Sequence, residues 1–504
     1  MLVTWLISST VVGSLLGATS AGQIPIRGGV IGGVSPAQTT PVKAETLKTV
    51  VTTPGALRVV ENSGICETTP DVFQASGYGD LTATESIFFW YFAARHNPGT
   101  APLTLWFNGG PGSSSMLGLL QELGPCRITN DSSSVTLNPF SWNNNANMLF
   151  IDQPVGTGFS YGNMSVGTSQ EAAADVWTFL QIFLKDSRFS NLAANDLAIW
   201  TESYGGHYGP TFAAYFLSQN AAITAGTVSG LHLNLKTLGI GDGLTDPITQ
   251  YAGYIAYAGT NPYQALVPTD YITTANLSWD TPFTGCQARI QSCQSSTGSN
   301  SNALCSAAQS FCNSNILTVL IGEYDMYYVP SGVPDPYPPD ISSYLASIQS
   351  KIGAEVTWQQ TNLQVYDNFA NTARSPDLEL VIDSGVRVLI YDGDADYILN
   401  YNGVEAMVML PPYIHRKAFC TDASYQIASM NTKFSAQFNQ QVFAPYKVNG
   451  LLAGQFKTAG TFSYVRIYGA GHEVPAYKNG SLEVGQAAFQ FFSQTMANQS
   501  LSST

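Results

Sequence analysis

Charge is scarce in this sequence. Only 11% of its 504 residues are Asp, Glu, Lys or Arg, and 20 Lys and Arg face 34 acids. The net charge of −14 and pI of about 4.7 leave no basic footprint for phosphate backbones or anionic lipid heads. Neither nucleic acid nor a membrane surface is an expected partner. With 44% hydrophobic residues, the chain is too apolar for disorder and long enough for one large core. It has no uninterrupted run of the roughly 18 apolar residues that a membrane span needs. The end of the chain, Ala497 to Thr504, is polar and lacks the hydrophobic tail of a lipid-anchor signal. Histidine is rare as well: His96, His207, His232, His415 and His472 are the five candidates for any general base.

Zinc-type cysteine spacing is also missing. Four of the seven cysteines form Cys286-x6-Cys293 and Cys305-x6-Cys312, whereas paired zinc ligands usually stand about two to four residues apart. The mirror-symmetric gaps point instead to nested disulfides, Cys286–Cys312 and Cys293–Cys305, closing a helical hairpin. An odd cysteine stays unpaired, and no cofactor or metal is expected. Residues 1–21 read as a signal peptide: an apolar start at Met1 to Ile7, small residues from Gly17 to Ala21, and no acid before Glu45, although Lys and Arg are missing from the first segment. Glycosylation sequons stand at Asn130, Asn163, Asn276, Asn479 and Asn498. Disulfides and sequons together favour a secreted, extracellular protein over a vacuolar or lysosome-like one.

Residues 22–56, rich in Gly, Pro, Thr and Val, read as a leader or pro-segment. From there β-branched and aromatic runs predict strands at Leu57–Glu61, Ser86–Phe92 and Pro102–Phe107. Met148–Asp152 and Asp196–Trp200 are short apolar runs of the buried parallel kind. Helical stretches at Gln170–Leu184 and Pro210–Asn220 alternate with them. This rhythm predicts an α/β fold with a mostly parallel central sheet and helices on both faces. It occupies 57–245 and resumes over 376–498 with Val386–Tyr391, Ser463–Tyr468 and a last helix at Leu482–Thr495. Residues 246–375, with the cysteine cluster and a Pro-rich turn at Pro330–Pro339, read as an inserted lid.

The chemistry starts at Ser203. In Asp196-Leu-Ala-Ile-Trp-Thr-Glu-Ser-Tyr-Gly-Gly206 a buried strand runs into a tight turn and then a helix. That is the context of a nucleophile elbow, although Thr201 replaces the first glycine of G-x-S-x-G. A serine nucleophile needs a base within hydrogen-bond reach. Only His472, in Gly469-Ala-Gly-His-Glu-Val-Pro475, lies on a loop directly after a late apolar strand. The acid that orients it is Asp392, Asp394 or Asp396, all following the strand that ends at Tyr391; spacing does not choose among them. The order Ser…Asp…His is that of α/β-hydrolases.

Four ordered blocks, Asn108–Ser115, Thr201–Tyr208, Gly393–Asn400 and Gly469–Pro475, together with Ile65–Pro70 and Trp142–Asn147, resemble the signature of serine carboxypeptidases. The likeness is nearest to the secreted fungal branch and spans residues 57 to 495. It implies an α/β-hydrolase that releases C-terminal residues of peptides and proteins through an acyl-enzyme. It makes Asp396 the triad acid, places the oxyanion hole at the N–H groups of Gly110 and Tyr204, and assigns the substrate carboxylate to Asn108, Glu122 and Glu202 beside Trp106. A proton shared by the two glutamates suits acid pH. Glu473 falls near the pocket for the leaving residue, where an ionised side chain attracts Lys or Arg. The chain departs from the family at Ser113 and near Thr361, where members usually carry a disulfide; its loss implies a looser link from oxyanion loop to lid. Leu399 replaces a pocket cysteine, which implies lower sensitivity to mercurials. Cys66 and Cys126 are then left to pair, and Cys420 has no family equivalent. Two other readings are weaker. An acyltransferase for sugar esters has no need of the carboxylate-binding set, and a dead binding protein has no need of an intact triad.

Overall fold

The computed structural model describes residues 52–296, 301–369, 377–409 and 430–504, and the backbone of 26–27 and 30–31. The expected signal peptide, most of the leader, His415 and Cys420 lie outside the described residues.

Aromatic and β-branched runs want a pleated surface with cover on both sides, and here they form one 11-stranded sheet. Its strands are β1 (Leu57–Glu61), β2 (Gln74–Asp80), β3 (Ser86–Phe92), β4 (Leu103–Phe107), β5 (Asn147–Ile151), β6 (Leu197–Glu202), β7 (Leu235–Gly241), β8 (Arg387–Gly393), β9 (Ala444–Val448), β10 (Leu451–Ala459) and β11 (Phe462–Ile467). The order across the sheet is β9-β10-β11-β8-β7-β6-β4-β5-β3-β2-β1. From β11 to β5 neighbouring strands are parallel, and both margins are antiparallel. The centre is therefore parallel and the whole sheet is mixed.

Alternation along β4 and β6 sends side chains to two separate cores. Leu103, Leu105, Phe107 and Ile199 face α1 (Ser169–Lys185) and α2 (Gly205–Thr224) through Val176, Phe179, Phe212 and Phe216. Trp106 and Trp200, opposite each other in register, face the other way. There they pack on Trp142, and Phe492 of the helix Gln486–Met496 stacks on Trp142 at 4.1 Å. Thr168 starts α1 with a capping box that Glu171 completes.

Between β7 and β8 lie α3 (Pro247–Gly259), α4 (Thr269–Asp280), α5 (Cys286–Ser295) and α6 (Ser301–Cys312). Asp246 caps α3 by accepting from Ile248 N–H, with Pro247 at its first position. Cys286–Cys312 and Cys293–Cys305 join α5 to α6, and Cys66–Cys126 ties the start of the core to the segment after Glu122.

Two sequence expectations shift. The helix expected from Pro210 begins at Gly205, because the elbow starts it and the proline is accommodated within it. Strand β2 is not among the strands expected from the sequence, and it carries two glycines, Gly77 and Gly79. Gly79 is needed because a Cβ there lies 2.5 Å from the Phe179 ring, so the helix packs directly on the strand backbone.

Candidate active site

The strands of the parallel centre point their C-terminal ends at one place, where α/β sheets form their sites. Ser203 follows β6 with φ of +62°, a left-handed conformation stabilised only because its surroundings over-determine it. Its N–H donates to Gly241 O at 3.0 Å, and its carbonyl accepts from Gly206 and Leu244. Thr201 fits where a glycine was expected because its hydroxyl closes the turn, donating to Gly205 O at 3.0 Å. Opposite, a Cβ on Gly109 lies 2.4 Å from Tyr204 N and 2.7 Å from Ser203 Cβ, so the glycine loop presses on the elbow itself. The N–H groups of Gly110 and Tyr204 have no backbone acceptor among the described residues.

Of the three aspartates at and beyond the end of β8, Asp396 reaches His472. Its Oδ2 accepts from His472 Nδ1 at 2.9 Å and from Leu399 N–H at 3.2 Å. Asp392 Oδ2 accepts from Tyr464 OH, and Asp394 accepts from Gly469 N–H and Tyr263 OH. Burial pushes the Asp396 carboxyl up, opposed first by His472. Ser203, Asp396 and His472 are all fully buried, and Ser203 Oγ and His472 Nε2 have no protein hydrogen-bond partner among the described residues.

Beside them lies a second polar cluster. Asn108 Oδ1 accepts from Trp106 Nε1 at 2.7 Å and Gly118 N–H at 2.9 Å. These two donors fix the amide orientation, so Nδ2 donates to Glu202 Oε1 at 3.0 Å and Glu122 Oε1 at 3.3 Å. Glu122 and Glu202 are buried and both accept from the one Asn108 amide. Two carboxyl groups held together away from water favour the state in which one carries a proton. Burial raises both, and repulsion from Glu122 and Glu473 raises Glu202 further.

Comparison with known proteins agrees with this geometry. The serine carboxypeptidase family model matches residues 64–498. Carboxypeptidase S1 of Penicillium janthinellum is 41% identical over 456 residues, covering 88% of this chain and 100% of its own. The chain belongs to the serine carboxypeptidase family. Carboxypeptidase Y of Schizosaccharomyces pombe is 35% identical over 429 residues, covering 80% of this chain and 40% of its own. Among solved structures, a prohormone-processing carboxypeptidase of Saccharomyces cerevisiae, Kex1(delta)p, matches with a TM-score of 0.63 at 22% identity, over 85% of this chain and 93% of its own. That likeness bears on the fold, which is the α/β-hydrolase type.

Within this carboxypeptidase, several site residues differ from expectation. Glu473 is 2% exposed, and burial, then repulsion from Glu122, Asp335 and Asp396, holds its carboxyl well above the usual range. This burial disfavours the ionised form expected of Glu473 at a pocket wall. Ser113 and Thr361 are not loose. Their backbones form an antiparallel bridge and their hydroxyls hydrogen-bond at 2.8 Å. Asn362 N–H donates to Gly112 O and Trp358 Nε1 to Ser114 Oγ beside them. Leu399 is buried in the core. The sequons Asn130, Asn163, Asn276 and Asn498 are exposed. Asn479 is withdrawn as a glycosylation site: it is 4% exposed and its Nδ2, the atom a glycan needs, donates to Tyr468 O at 2.6 Å.

Sequence reasoning missed the segment 326–329. Met326 O accepts from Tyr397 and Ile398 N–H, Val329 N–H donates to Ala395 O, and Tyr327 O accepts from His472 N–H at 3.0 Å. The Tyr327 ring meets the imidazole edge-on at 5.4 Å. One strip of the inserted region thus holds both the acid loop and the histidine loop. Its signal is weak because the bonds are main-chain and carry no motif.

Proposed function

We propose that this carboxypeptidase is secreted and removes C-terminal residues from peptides and proteins through an acyl-enzyme on Ser203, working best in acid solution. The observation that carries the reading is the Glu122–Glu202 carboxyl pair, oriented by Asn108 next to the Ser203 elbow. Glu122 Oε2 and Glu202 Oε2 are buried without protein partners among the described residues. A proton on this pair donates to the substrate's terminal carboxylate and positions the last peptide bond over Ser203.

Ser203 Oγ attacks the carbonyl carbon and its proton passes to His472 Nε2. Asp396 holds the imidazole in the tautomer that leaves Nε2 free and stabilises the imidazolium. The N–H groups of Gly110 and Tyr204 donate to the oxyanion. When the C–N bond breaks, His472 returns the proton to the departing amine. Water then attacks the ester, giving its proton to His472, and the acid is released with Ser203 restored.

Three disulfides and four exposed sequons support the secretory route, with residues 1–21 as its signal. Ser203→Ala is expected to lower turnover by several orders of magnitude with the fold intact, and a phosphonylating reagent to label Ser203 alone. Blocked dipeptides with a free carboxylate should be cleaved far better than their amides. Labelling elsewhere, or no preference for the free acid, would refute this reading.

A further inference from the structure

We propose that Glu202, His472 and Glu473 form an inhibitory site for a divalent transition ion of the zinc type. One ligand atom from each lies within 4.8 Å of the other two, and all three side chains are buried. Glu202 Oε2, Glu473 Oε2 and His472 Nε2 have no protein hydrogen-bond partner among the described residues. Three buried groups that each carry an unpartnered lone-pair atom therefore come together here. Nor is there a counter-charge: no ion pair among the described residues involves Glu202 or Glu473. Arg127, which acts on Glu122, directs its guanidinium at the main-chain oxygens of Glu122, Pro475 and Val484 instead. A divalent cation that displaces their protons would be the counter-charge for both carboxylates.

The donor set identifies the ion. One imidazole and two carboxylates suit zinc, with a fourth position left open. Asp396 Oδ2 accepts from His472 Nδ1, which leaves Nε2 as the coordinating nitrogen. A carboxylate behind the imidazole is also the usual outer partner of a metal-binding histidine. Zinc bonds of about 2.0–2.2 Å put tetrahedral ligands about 3.3 Å apart, so the groups must close in by up to about 1.5 Å, within reach of glutamate side-chain rotation. The consequence is inhibition, since the metal is no part of the reaction. Zinc on Nε2 blocks the lone pair that takes the Ser203 proton, and zinc on Glu202 removes a donor to the substrate carboxylate. This consequence rests on the catalytic reading above; the binding itself does not.

The test separates the two. Zn2+ is titrated calorimetrically into the Ser203→Ala protein, which needs no turnover, and zinc inhibition of the wild type is followed on a blocked dipeptide. One ion per chain is expected. Binding should weaken at least about tenfold in Glu473→Gln and in His472→Ala, and stay unchanged in His96→Ala and His232→Ala. Each variant's half-inhibiting zinc concentration is measured against its own zinc-free rate. It should rise at least about tenfold in Glu473→Gln, and a chelator should restore activity. Co2+ added to the wild type should give the intense visible absorption of a four-coordinate site, a readout that holds even if a variant folds poorly. Undiminished binding in Glu473→Gln or His472→Ala would overturn the site. Binding that leaves wild-type hydrolysis unimpaired would overturn the inhibitory role.

Discussion

Replacing Glu122 by Gln tests the shared proton directly. In the wild type, burial raises both carboxyls, and the proposed binding step needs one proton between them. The sign follows from the direction of the shift. The proton is held at pH values above the ordinary carboxyl range and is lost as pH rises through the raised values. Above that window, a negative pair faces a negative substrate. KM for a free-acid peptide should therefore climb with pH, while KM for the matching amide stays flat. The amide introduced by Glu122→Gln keeps the Asn108 contact through its oxygen, and its NH2 is a donor that never titrates. That donor stands in for the shared proton, so the variant should leave the free-acid KM at pH 5 near the wild-type value. At pH 8, where the wild type has lost a charge-assisted bond worth about 1.5–3 kcal/mol, the variant's KM should be lower by about 10- to 100-fold. The substitution should thus flatten the rise between pH 5 and pH 8. The assay is the ratio of KM for a blocked dipeptide acid to that for its amide, across pH. The ratio cancels any pH effect on the chemical steps that both substrates share. If the ratio is independent of pH in the wild type, or keeps its wild-type slope in the variant, the shared proton has no part in binding.

Three further outcomes are expected. Asp396→Asn should lower kcat by about four orders of magnitude by allowing the wrong imidazole tautomer, with an unchanged circular dichroism spectrum and little change in KM. Asp175, half-buried, is pushed up to about 6 by burial and by Glu85 and Glu171. Its charged form thus costs stability above pH 6, and Asp175→Asn should stabilise the protein by about 1 kcal/mol at pH 8, after screening, and not at pH 4. Thermal unfolding at both pH values checks it, and an equal gain at both would contradict the shift. Finally, residues paired across an antiparallel bridge have Cα atoms about 4.5–5.5 Å apart, inside the disulfide range. Ser113→Cys with Thr361→Cys should therefore form a bridge and stabilise the oxidised protein by about 2–4 kcal/mol, with no gain over wild type after reduction.

Much of the site was written in contiguous residues. The elbow at Ser203 needed only a strand, a turn and two glycines in order, and His472 stood out because it sits on a loop directly after a late apolar strand. The nested bridges followed from equal gaps, because a hairpin brings symmetric positions together. The central strands were legible for the same reason: their apolar runs must be covered on both faces. What stayed hidden depends on contacts between distant segments. Spacing left Asp392, Asp394 and Asp396 equivalent. Only the packing of the loop after β11 against the loop after β8 gives one of them the imidazole and turns the others to Tyr464, Gly469 and Tyr263. Strand β2 went unnoticed because its glycines carry no strand signal, and the reason for Gly79 is Phe179, a hundred residues on. Asn479 and Glu473 are polar letters that a sequence places at the surface, yet the fold buries both. Burial is a property of the surrounding chain, and so are the charge states that follow from it: Glu122, Glu202 and Glu473 repel one another only because tertiary packing removes them together from water.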